Sequence, residues 1–193
     1  MIRPLSLLLA LLLLAPTGAK AWLEPPALQN EVAAGKLPPI EERLPQVPLV
    51  APLRAQGLEP GEYGGDLRIL MSGAKDVRMM VVYGYARLVG YDREYRIVPD
   101  ILERFEVEEG RIFTFHLRPG HKWSDGAPFT TEDFRYYWED VANNEALSPM
   151  GPSQLLLVDG EPPKVEILDE TTVRYSWSQP NPDFLPALAG ASP

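Results

Sequence analysis

The chain contains no cysteine. That removes disulfide scaffolds, thiolate zinc sites, iron–sulfur clusters and thiol nucleophiles. Histidine is nearly as scarce: His116 and His121 are the only two, they flank Pro119-Gly120, and they fall short of a zinc ligand set. Positive charge is also in deficit, with Lys+Arg 18 against Asp+Glu 27, a formal net charge of −9 and a pI near 4.8. A protein that tracks nucleic-acid phosphates needs clustered Lys and Arg, so this balance argues against one. No Gly-x-Ser-x-Gly elbow is present. Nor is there a phosphate-cradling loop, because Gly64-Gly65 precedes an expected strand where such a loop follows one.

Long apolar runs are missing as well, save residues 5–14, which are too few for the ~20 needed to span a bilayer. That run follows Arg3 and leads through Pro16 and Gly18 to Ala19-Lys20-Ala21, the small-x-small pattern of a secretory cleavage site. Residues 1–21 therefore read as a signal peptide, and the expected location is the bacterial periplasm. Its removal takes away Arg3 and Lys20 and no acid, so the mature balance is 16 − 27 = −11. With 45% hydrophobic and 23% charged residues, the remainder has the composition of a globular domain.

Residues 22–62 form an expected proline-rich strap with one short helix over 27–34, ended by Gly35 and Pro38-Pro39. Residues 63–193 are the expected α/β part. A first strand is predicted over 66–71, where Leu67, Ile69 and Met71 alternate, followed by a buried helix from Asp76 to Leu88. Tyr95 and Ile97 predict a short strand, and 101–104 one helical turn. Phe105 and Val107, then Phe113, Phe115 and Leu117, describe a hairpin turning at Glu109-Gly110. Residues 123–129 predict an ordered Asp-Gly turn pinned by Trp123 and Phe129. Thr130-x-x-Asp133 resembles a capping box, heading a helix whose Phe134, Tyr137, Trp138 and Val141 form one buried stripe, with Tyr136 off it. Val165 and Ile167, then Val173, Tyr175 and Trp177, predict a second hairpin. Asn181-Pro182 predicts the cap and first position of a last helix.

The order of these features resembles a known family. The stretch 97–107, the hairpin 113–123 (Phe-Thr-Phe-His-Leu-Arg-Pro-Gly-His-Lys-Trp) and the run 124–134 (Ser-Asp-Gly-Ala-Pro-Phe-Thr-Thr-Glu-Asp-Phe) are similar to the family 5 extracellular solute-binding proteins. Tyr63-Gly64-Gly65, Tyr91-Asp92 and Gln179-Pro180-Asn181-Pro182 support the likeness. The resemblance implies the first lobe of a two-lobed, type II-like periplasmic-binding fold, with this chain matching only the opening part of the family's length. It implies a component of an ABC importer that captures peptides or a similar solute and hands them to an inner-membrane permease. No cofactor, metal, nucleic acid or membrane span belongs to that expectation. Two alternatives stand beside it: a truncated fragment that binds nothing, and a periplasmic hydrolase.

For the ligand, the loop after the first expected strand is the candidate, since ligands sit off strand ends where loop N–H groups converge. The site residues are Ser72, Gly73, Lys75 and Asp76, with Tyr83 and Tyr85 beyond them. Asp125, Glu132 and Asp133 are assigned to a turn, a helix start and a cap, not to catalysis. The aromatics from Trp123 to Trp138 are assigned to packing over ligand stacking.

Overall fold

A computed structural model describes residues 22–80 and 85–190, and its contacts divide the chain into two units, residues 1–41 and 42–193. In the first, helix α1 runs Gln29–Ala33 and stops at Gly35, whose φ of 68° is the left-handed geometry glycine accommodates best. Helix α2, Ile40–Arg43, begins at the end of this unit. Extended chain was expected there, but a proline just ahead of a helix removes only an N–H that would be unpaired anyway.

In the second unit, strands β1 (Val89–Tyr91) and β2 (Ile97–Pro99) form an antiparallel ribbon. The Asp92 carboxylate ties its turn by accepting from the amides of Glu94 (3.0 Å) and Arg96 (2.8 Å). Strands β3 (Leu102–Glu108), β4 (Ile112–Leu117), β5 (Lys164–Ile167) and β6 (Thr172–Ser176) form an antiparallel sheet in the order β3-β4-β6-β5. Glu109 (φ 53°), Gly110 (φ 65°) and Arg111 connect β3 to β4, with the Arg111 amide on the Glu108 carbonyl at 3.0 Å closing the turn. Positive φ at Glu109 and Gly110 matches the right-handed twist of the flanking strands.

Register explains the sheet's two faces. Val107, Phe113, Tyr175 and Val165 lie across from one another, as do Phe105, Phe115, Val173 and Ile167. The opposite face aligns Glu106, Thr114, Arg174 and Glu166, where the Arg174 Nε donates to Thr114 Oγ1 at 3.2 Å. On that face His116 has Nδ1 3.3 Å from Thr172 Oγ1 and Nε2 3.5 Å from Glu106. Period-two alternation thus sends aromatic and branched side chains inward and hydrogen-bonding ones outward.

Helix α3, Thr131–Tyr136, continues into a π-helical turn, Tyr137–Ala142, and helix α4 spans Phe184–Leu188. The core joins Phe113, Phe115, Leu117, Val173, Tyr175 and Trp177 of the sheet region to Val89, Leu102, Phe184 and Ala189. Phe184 meets four rings at once, with centroids 4.8–5.7 Å away on Phe113, Phe115, Tyr175 and Trp177.

Four local expectations are corrected. Residues 66–71 carry no strand, and Leu70 is 99% exposed; alternation needs a ladder partner, and no neighbouring strand receives it among the described residues. The expected helix from Asp76 to Leu88 is a 3₁₀ helix over Ala74–Met80 and is not helical over 85–88, and its residues 81–84 lie outside the described residues. Residues 102–104 start β3 instead of a helical turn, because pairing with β4 outweighs the local Pro-Asp start signal. Asn181 is buried and does not cap α4, whose flanking residue is Asp183. Its amide donates to the Gly110 carbonyl at 2.9 Å, which stitches the β3–β4 turn to the chain leading into α4. The predicted signal, residues 1–21, lies outside the described residues.

Candidate functional site

The loop singled out from the sequence is closed on a carboxylate. The Ser72 hydroxyl donates to Asp76 Oδ2 at 2.6 Å, and the Gly73 amide donates to the same oxygen at 3.0 Å. The Ser72 bond above all holds the Asp76 carboxyl below its ordinary pKa, against the opposing effect of desolvation. Lys75 is exposed on the same short helix, and Tyr85 stands exposed beyond it. Tyr83 lies outside the described residues. The structure therefore brings Ser72, Gly73 and Asp76 together.

Sequence reasoning missed a second feature, an open cavity of about 780 Å³ between the inner face of the sheet, α3 and α4. Its floor is Phe115 and Tyr175, its walls are Phe134, Trp138, Phe184 and Leu188, and its rim carries His121, Trp123, Asp133, Tyr136 and Tyr137. Burial raises the Tyr175 phenol above its ordinary pKa. Burial also lowers His121, helped by the Arg118 charge and opposed by Asp100. Tyr136 is 56% exposed, as its place off the stripe predicts, but Tyr137 is 47% exposed although the stripe assigned it to the core. Phe134, Trp138 and Val141 of the stripe stay half-buried, so Tyr137, where the helix passes into its π-helical turn, is the stripe residue that departs. Segments far apart in sequence build this cavity, and no local pattern announces it.

Around the rim, local roles hold as expected. Trp123 and Phe129 meet edge to face at 5.0 Å, and the Asp125 carboxylate accepts the Ala127 amide at 2.9 Å. Asp133 closes a capping box, taking the Thr130 amide at 2.8 Å, while its other oxygen accepts the Trp123 indole N–H at 3.0 Å. Arg135 clamps Glu132, Glu139 and Asp140 at 2.6, 2.7 and 3.2 Å, and its hydrogen bond lowers the Glu132 pKa. Among the described residues, no group of three or more His, Asp or Glu is placed to hold a metal. No described helix is long and apolar enough to cross a membrane.

A two-layer arrangement of antiparallel sheet and helices, entered through a short ribbon, is the architecture of part of one lobe of a periplasmic binding protein. The family model for bacterial extracellular solute-binding proteins, family 5 Middle, matches residues 96–193. The chain belongs to this family. Its fold superposes on an oligopeptide-binding protein OppA with a TM-score of 0.70 and 36% identity, covering 90% of this chain and 27% of that one. It also superposes on MelB of Agrobacterium fabrum, solved with stachyose, at a TM-score of 0.64 and 26% identity, over 90% of this chain and 29% of that one. In sequence it is 29% identical over 170 residues to the periplasmic alpha-galactoside-binding protein of Rhizobium meliloti, covering 78% of this chain and 24% of that protein. Against the periplasmic oligopeptide-binding protein OppA of Salmonella typhimurium it is 32% identical over 106 residues, 49% of this chain and 20% of that protein. The chain thus spans about a fifth to a quarter of the length of these relatives.

Proposed function

We propose that the chain serves in the capture component of a bacterial ABC importer, acts in the periplasm after losing residues 1–21, and takes peptides as its solutes. The observation that carries this reading is the superposition on OppA over 90% of the chain, with 36% identity. Capture in such a protein is a population shift: a ligand that bridges two lobes stabilises the closed form over the open one, and a permease partner recognises the closed form. Short peptides suit a cleft that binds backbone by strand-like hydrogen bonds and leaves side chains in roomy pockets. Ser72, Gly73, Lys75, Asp76, Tyr83 and Tyr85 are the proposed ligand edge, with the ionised Asp76 carboxylate and the exposed Lys75 amine offering partners for peptide termini. Bond-making chemistry has no part in this reading. In support, Asp125, Glu132 and Asp133 are each engaged in a turn, an ion pair or a cap.

A second reading rests on the alpha-galactoside-binding relative, whose match extends over 170 residues, and on MelB. It makes the solute an oligosaccharide. Thermal unfolding of the full-length gene product distinguishes the two, since a ligand at a hundred times its Kd stabilises by about 2.7 kcal/mol. Peptides of two to five residues should raise Tm and stachyose should not. The reverse result would replace the peptide reading, and a flat response to both series would overturn capture by this protein.

A further inference from the structure

The loop between β4 and the Trp123 turn holds the segment that leaves the end of α2. The Gln46 amide donates to the Pro119 carbonyl at 3.0 Å. From the loop, Arg118 Nη1 donates to the Val47 carbonyl at 3.4 Å and Lys122 Nζ donates to the Glu42 carbonyl. Arg118 is itself oriented by a second bond, from Nε to the Asp100 carbonyl at 3.2 Å. Between the two cations, Gly120 has φ of +79°, and a Cβ there would stand 3.3 Å from Gln46 Cγ and 3.4 Å from its backbone nitrogen. The loop thus offers one acceptor, two cationic donors and a notch with no side chain, all used by residues 42–47. Its three hydrogen bonds to that segment all go to backbone groups, and the notch at Gly120 faces the Gln46 side chain.

We propose that Arg118, Pro119, Gly120 and Lys122 form a binding site for a proline-rich segment that leaves a helix end, occupied in this protein by residues 42–50. The chemistry fits the occupant. A segment broken by Pro45, Pro48 and Pro52 cannot complete a strand ladder, so it has free carbonyls for donors to read. Its prolines already restrict the backbone, which lowers the entropy lost on docking. The site reads two carbonyls and one N–H of the segment, and the absence of a side chain at Gly120 leaves room for Gln46.

Hydrogen exchange of the full chain, resolved to single amides, tests this. In the wild type the Gln46 amide should be protected. Lys122→Met should speed its exchange about fivefold, the value of one hydrogen bond near 1 kcal/mol, and R118M/K122M should speed it further. Throughout, the amides of Phe113 and Phe115 should keep their protection, which reports that the sheet is intact. A conservative Lys122→Arg change should restore most of the protection. Free exchange at Gln46 in the wild type, or unchanged exchange in Lys122→Met, would overturn the proposal, and the wild-type measurement decides it even if the double variant does not fold.

Discussion

Phe184 is the side chain on which the two layers meet. It is 3% exposed and touches four aromatic rings at 4.8–5.7 Å, so truncation to alanine removes packing on every side of one position. Phe-to-Ala changes at such sites cost about 3–5 kcal/mol, the upper end applying where neighbours cannot collapse into the space. Collapse is resisted here, because Phe113 and Phe115 are pinned on a central strand and Trp177 is held by its indole N–H on the Leu156 carbonyl at 2.8 Å. For a chain of this size each kcal/mol moves Tm by about 2–4 °C, so Phe184→Ala should lower it by roughly 6–20 °C. Tyr136→Ala, on the exposed rim, is the matched control and should fall within about 0.5 kcal/mol of wild type. Urea unfolding followed by near-UV circular dichroism measures both. A loss below about 1 kcal/mol for Phe184→Ala would show that α4 is not seated on the sheet, and the argument for a joint sheet–helix core would fail.

Asp133→Ala removes both the cap on α3 and the acceptor for the Trp123 indole; it should cost about 1–2 kcal/mol in urea unfolding and shift indole emission. His121 gives a pH dependence whose sign follows from its lowered folded pKa. The unfolded chain takes up the proton first, so the contribution is intact above the ordinary value of 6.5 and is lost as pH falls from there through the folded pKa. Urea midpoints measured between about pH 7.5 and pH 5 should decline, and His121→Gln should flatten that decline; an unchanged slope would assign it elsewhere.

Where the sequence could be read, one local signal matched one local device. Phe113, Phe115 and Leu117 alternate because one sheet face is dry, and Glu109-Gly110 sits where the hairpin needs positive φ at both positions. Thr130 and Asp133 form the capping box they resemble. Failures came where the deciding partner is remote. The apolar run after Asp76 has the pattern of a helix, yet its last described residues, 85–88, are not helical and lead into β1, where Val89 pairs with Pro99. Asn181 has the composition of a cap, yet its amide is taken by Gly110, about seventy residues earlier. At the candidate site, the Ser72–Asp76 loop was legible because small polar residues bond to nearby backbone. The cavity was not, since it is made by α3, α4 and the Trp123 turn meeting over the sheet.

Among the described residues, the order β3-β4-β6-β5 leaves two outer strands whose unpaired backbone groups are templates for a foreign strand. Each is armed differently. β3 carries Glu103, Arg104, Glu106 and Glu108, so an approaching copy would stack like charges against one another. β5 is only four residues long and is preceded directly by Pro162 and Pro163, which have no N–H to donate. A chain that had to regain its sheet after crossing a membrane unfolded would be shielded at both margins from pairing with its neighbours before its own core had closed.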